Sequence, residues 1–363
     1  TLNLNKMKTY IKFLCYIFLK SFFYVFLVMF SLVFVLNVLS ELDFFKDIEV
    51  GINFTLLLSL LNSPSMIFEM FPFIFLITTQ FFFIKLFNNN ELEVFKYSGL
   101  KNSNILWILS LLSFFMSVTI IAVFYNFSAN FKNFYLEKKS KYTSDGKYLA
   151  VITKNGLWIK DEIDKKIYMI NSSEIKDNFL IDNFITVFNE NYEVIKNLQS
   201  KKIDIKDKQW LVYNAKIYSN NNYEIKEVLK IKTNFDYKRI KTLYSNLSSL
   251  NIIQLFELKN NYKKLNYSLT EVNLQILKII AYPIYLVLIT ILSALIMFKV
   301  KRLNTTTLKI SLGLFISVII YYINNFFLVM GSTERIPLIF AIFIPLIILG
   351  LFNSYMVYRI NEK

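Results

Sequence analysis

The sequence predicts an α-helical polytopic membrane protein: six transmembrane helices, three plus three, around an inserted all-β, jellyroll-like domain. Three observations carry this. Apolar residues make up 55% of the 363 residues, and they gather into runs of about eighteen or more, long enough to cross a bilayer. Those runs lie at the two ends of the chain. The stretch between them holds short alternating segments parted by turn residues, the pattern of antiparallel strands. The expected domains are 1–127, 128–271 and 272–363.

The first span reads from Phe13 to Leu39, with Lys6, Lys8, Lys12 and Lys20 at its basic end. The loop SELDFFKDIEV follows, acidic apart from Lys46. The second span, Phe54–Phe87, is too long for one straight crossing. Pro64 and Pro72 inside it predict a kink or a split-off interfacial turn. Glu69 lies between them. An intramembrane carboxylate is a functional candidate, and a place near the interface, satisfied by water, is the plainer account. Next comes NNNELEVFKYSGLKNSN, Asn88–Asn104. Asn90 is placed to cap a helix, with Glu93 as its capping-box partner, and Gly99 to stop it in the left-handed conformation. Leu92 and Phe95, three apart, share one face of a two-turn amphipathic helix. Such a stretch is either an ordinary capped loop or a coupling helix, near 90–99, that docks a soluble partner.

The third span reads Ile105–Phe127. Strands are expected at Leu157–Lys160, Lys166–Asn171, Asn183–Phe188, Val194–Ile205, Trp210–Tyr218 and Tyr223–Thr233, as a sandwich or jelly roll. Ser248 and Ser249 are read as the cap of a short helix through Leu258. The last spans read Ile276–Phe298, Leu308–Val329 and Ile336–Val357.

Composition removes several functions. With no His, imidazole metal sites and His-based acid–base chemistry are out. The single Cys15 allows no internal disulfide. None of the seven glycines builds a phosphate-binding G-x-x-x-x-G-K-[ST] loop, so nucleotide hydrolysis and a cofactor are not expected here. The net charge of +15 fits basic loop flanks better than nucleic-acid binding. Basic residues cluster at both termini, in Lys85–Lys101 and in Lys299–Arg302. By the bias of Lys and Arg toward the cytoplasm, both termini and Asn88–Asn104 are expected inside and the β domain outside.

These residues resemble the LptF/LptG (YjgP/YjgQ) permeases of lipopolysaccharide export. The likeness covers nearly the whole chain. It rests on the three-plus-three layout, on Ser63-Pro64 with Phe71-Pro72, and on ELEVFKYSGL beside the family's E-L-x-x-x-x-x-x-G stretch. GLWIKD (Gly156–Asp161), Gly331 with Ile336-Pro337, and Lys278 with Pro283 look more like LptG than LptF. The resemblance implies an inner-membrane heterodimer with an LptF-like paralogue, two LptB-like ATPases holding the ATP and Mg, and an LptC-like single-span protein. ATP-driven closure would push lipopolysaccharide from the outer leaflet to a periplasmic bridge. Glu91 would be the coupling acid facing basic residues of the ATPase, Leu92 and Phe95 would fill its groove, and Gly99 would end the helix. Where the family often has a basic cluster for substrate phosphates, LNVLSELDFFKD offers Lys46 alone. An LptF paralogue and a membrane tether without transport are the alternatives. A membrane enzyme is disfavoured, since the β segment has no nucleophile–base pair of recognisable spacing.

Overall fold

In lipid a segment must satisfy its own backbone N–H and C=O groups, so the apolar runs fold as helices. The computed structural model describes residues 9–48, 50–139, 142, 157–163, 165–176, 178–219, 222–237, 240, 246–264, 268–300 and 305–361. The first spans are α1 (Thr9–Phe44) and α2 (Ile52–Asn88). After the short α3 (Glu91–Tyr97) comes α4 (Asn102–Thr119), which runs through a π-helical turn, Ile120–Tyr125, into α5 (Asn126–Lys139). Beyond the strands lie α6 (Ile252–Lys264), α7 (Thr270–Val300), α8 (Thr306–Ser332) and α9 (Leu338–Asn361). With α4–α5 taken as one, six helices among the described residues are long and apolar enough to cross a membrane. The chain divides into two compact units, Thr1–Lys132 with Thr270–Lys363, and Asn133–Leu269.

In the helical unit, α2 and α7 are the most buried spans and α8 the least. The helix α2 is continuous from Ile52 to Asn88 despite both prolines, so no separate interfacial turn forms. A proline inside a helix leaves the carbonyl four residues back without its donor. For Pro72 that carbonyl belongs to Phe68. The Tyr282 hydroxyl of α7 donates to it at 2.6 Å, and the Tyr282 and Phe68 rings stack with centroids 4.9 Å apart. One turn on, Ser293 donates to the Leu76 carbonyl at 2.8 Å. Beside Pro64, Asn62 donates to Asn37 of α1 at 2.9 Å and accepts from Lys132 of α5. Asn37 donates to Ser63 at 3.2 Å. These bonds tie three helices by polar groups, which in lipid find no better partner elsewhere. Further along α2, the buried Gln80 donates to the Lys309 carbonyl of α8 at 3.0 Å. Gly313 permits that approach: a Cβ there would lie 1.8 Å from Gln80 Nε2.

In the other unit all six expected strands are present: β1 (Leu157–Ile163), β2 (Lys166–Lys176), β3 (Phe179–Phe188), β4 (Val194–Asp204), β5 (Gln209–Ser219) and β6 (Asn222–Lys232). They form one antiparallel sheet in sequence order. The described connectivity is thus a meander, simpler than the two-sheet order of a sandwich, because each short turn returns the chain beside the strand it left. One face is buried by Leu180, Ile185, Val187, Leu198, Ile203, Trp210 and Val212. Along one row the alternation shifts phase in three neighbouring strands together: Leu180 to Asn183, Ser200 to Ile203, Val212 to Ala215. Asp182 and Asn214 take positive φ, 48° each, on that row. Asn183 is held there by Ser172, which donates to its Oδ1 at 2.5 Å, and by its own donation to the Leu180 carbonyl at 2.9 Å. Asp161, in the GLWIKD segment, accepts from Thr233 Oγ1 at 2.8 Å, from the Asn234 amide at 3.0 Å and from Asn234 Nδ2 at 2.8 Å. This carboxylate pins the segment after β6 to β1. Before α6, Asn251 Oδ1 accepts from the Gln254 amide and Gln254 Oε1 from the Asn251 amide, both at 2.9 Å. That reciprocal pair is a capping box, so Asn251, not Ser248/Ser249, starts the helix.

Candidate functional site

Between α2 and α4 the chain turns twice within thirteen residues, and α3 occupies the middle of the turn. Because α2 persists to Asn88, Asn89 and Asn90 alone must redirect the chain. Asn90 does so in the left-handed conformation, φ 55° and ψ 15°, without a side-chain cap bond. The expected capping box of Asn90 with Glu93 is therefore absent. A capping side chain needs an extended backbone behind it, and a two-residue link does not supply one; Asn is among the few residues that tolerate the left-handed region. The helix start relies instead on Glu91, whose Oε1 accepts from Asn89 Nδ2 at 3.1 Å. Its charge sits at the favourable end of the helix dipole. Oε2 of Glu91 is buried with no hydrogen-bond partner among the described residues.

At the other end Gly99 has φ +83°. Its amide donates to the Lys96 carbonyl at 3.0 Å, and the Leu100 amide to the Phe95 carbonyl at 2.9 Å. The pair is a Schellman stop, so α3 has a defined length and a fixed exit.

Leu92 and Phe95 do share a face, and it points inward. Leu92 is 1% exposed, and the Phe95 ring meets Phe13 of α1 edge-on at 6.1 Å. Leu92 is buried against its own chain, and the half-buried Phe95 rests on Phe13, so both staple α3 to the bundle. The outward apolar residues are Val94, 62% exposed, and Tyr97, 89% exposed, flanked by the exposed Glu93 and Lys96. The i, i+3 spacing marked a buried face correctly; it could not say which body buries it.

The other expected residues are not brought to α3. Lys46 is exposed in the turn after α1, next to Asp47. Glu69 is exposed on α2 and lines a cavity of about 270 Å³ with Lys278 of α7 and Tyr321, Asn324 and Asn325 of α8. No group of three His, Cys, Asp or Glu suited to a metal occurs among the described residues. Sequence reasoning missed Tyr282 as the donor for α2; its only signal is that Pro72 frees the carbonyl at position 68.

Residues 12–359 match the family of the lipopolysaccharide export system permease LptF/LptG. The chain belongs to this family. It is a permease of the lipopolysaccharide export system, a multi-pass inner-membrane protein and not itself an enzyme. No curated protein matches it. As an LptF/LptG permease it carries the β unit between its third and fourth spans, and α3 between its second and third.

Proposed function

We propose that this permease moves lipopolysaccharide out of the inner membrane by taking up, through α3, the motion of a separate ATPase. The observation that carries the reading is the build of α3: a helix stopped at Gly99, stapled by Leu92 and Phe95, with Val94 and Tyr97 left outside. A helix so held passes a push on its outer face into α1, α2 and α4. The docking face is then Glu93, Val94 and Tyr97, while Glu91 sets the helix start. Large exposed aromatic side chains are the residue type that anchors interfaces.

The reading extends to the assembly. An LptG-type subunit paired with an LptF-type paralogue, two LptB-like ATPases that hydrolyse ATP, and an LptC-like protein receiving the lipid fit GLWIKD and the Lys278–Pro283 pair. The Lys and Arg bias of the loops puts α3 and both termini in the cytoplasm and the β unit in the periplasm. In this reading Lys46, exposed in the turn after α1, contacts a substrate phosphate.

The test is ATPase retention and lipid release in the purified complex. Tyr97→Ala is expected to lower retention of the ATPase about tenfold or more, the loss of a hot-spot contact worth about 2 kcal/mol. Phe95→Ala should loosen α3 itself, seen as faster amide exchange across Glu91–Tyr97. Wild-type retention and release in Tyr97→Ala and in Val94→Glu together would rule out α3 as the docking element.

A further inference from the structure

The cavity beside Glu69 is not explained by coupling. It lies within the helical unit, between α2, α7, α8 and α9, and holds about 270 Å³. Its lining includes the polar residues Glu69, Lys278, Tyr285, Tyr321, Asn324 and Asn325. It also includes the apolar Pro72, Leu328, Ile342 and Leu346. Lys278 is eight residues into α7 and Asn324 eight residues from the end of α8, each about 12 Å along its helix at 1.5 Å per residue. At the same end of the bundle Thr270 donates to Glu334. The cavity therefore begins about 12 Å inside that end of the helical unit and reaches toward its middle at Glu69 and Tyr285.

Glu69 and Lys278 face this space with opposite charges. Among the described residues neither forms a hydrogen bond or an ion pair, with the other or with anything else. A charge at such depth is costly unless it is matched. A lone anion would match Lys278 and be repelled by Glu69; a lone cation would do the reverse. A molecule bearing both charges matches both. The amides of Asn324 and Asn325 and the hydroxyl of Tyr321 can donate to phosphate oxygens, and the apolar wall suits acyl chain.

We propose that this cavity binds the zwitterionic headgroup of a phospholipid with a primary ammonium, such as phosphatidylethanolamine. The ammonium lies at Glu69, the phosphate lies at Lys278, and the upper chain rests on Leu328, Ile342 and Leu346. The site is separate from α3 and does not depend on how the permease is driven.

The full complex, delipidated in detergent and offered equal phosphatidylethanolamine and phosphatidylglycerol, tests this by extraction and counting of retained lipid. Wild type should retain the ethanolamine lipid in clear excess. Glu69→Gln should remove that preference while keeping the glycerol lipid. Lys278→Gln should lower both about tenfold (1.4 kcal/mol), and Lys278→Arg should restore them. Equal retention of the two lipids by wild type, or unchanged retention in both Gln variants, would overturn the proposal. Displacement of the lipid by equimolar free O-phosphoethanolamine would also overturn it, since the site would then serve a soluble solute. Asn325→Leu gives the same readout without removing a charge: it should reduce retention of both lipids, and no reduction counts against the phosphate placement.

Discussion

Tyr282→Phe removes one oxygen atom and leaves the stacked ring against Phe68 in place. The cost follows from Pro72. The Phe68 carbonyl lacks its normal donor, because residue 72 has no N–H, and its bond at 2.6 Å from Tyr282 replaces it. An unsatisfied buried acceptor costs about 1–3 kcal/mol. Interhelical bonds in lipid average about 0.6 kcal/mol and reach about 1.7, since alternative partners are usually at hand. Here none is at hand, so the expected loss is about 1–2 kcal/mol. Pro72→Ala supplies the comparison: the Ala amide donates to the Phe68 carbonyl, and Tyr282→Phe in that background should cost less than about 0.5 kcal/mol. The assay is denaturant unfolding in detergent of the wild type, both single variants and the double variant. A Tyr282→Phe cost equal in the two backgrounds, within the about 0.3–0.5 kcal/mol expected of independent sites, would refute the argument.

Gly313→Ala places a methyl where Gln80 Nε2 stands; overpacking of about 1–3 kcal/mol is expected, with a lower melting temperature in detergent, and Gln80→Ala in the same chain should relieve most of it. Burial lowers the Lys196 pKa below 10.5, with Lys166 and Lys226 adding repulsion. The unfolded chain therefore binds more protons than the folded one between the lowered value and 10.5, and stability from this group rises with pH across that window. Lys196→Gln should slow amide exchange across β4 and β5 at neutral pH, an advantage that shrinks with salt and disappears above about pH 10.5; no difference at low salt would refute it.

The two levels of the fold differ in how much the sequence discloses. Apolar runs and alternating segments located every span and strand among the described residues, because burial period is a local property. Whom an element touches is not local. Asn90 with Glu93 and Asn251 with Gln254 both offer Asn followed three residues later by a residue able to complete a capping box. Only the second pair forms it. There Leu250 is extended, φ −100° and ψ 129°, whereas Asn90 follows a helix that ran to Asn88, one residue past the expected span, with only Asn89 between. The same limit hid that Leu92 and Phe95 pack on their own chain, Phe95 against Phe13. It also hid the functions of charge. Glu69 and Lys278 are 209 positions apart in sequence; each reads as a lone charge within an apolar run, and only the packing of α2 on α7 and α8 brings them to one cavity. On the proposed reading, Glu69 and Lys278 keep their charges for a ligand and not for each other. The space between them then selects for what carries both signs at once.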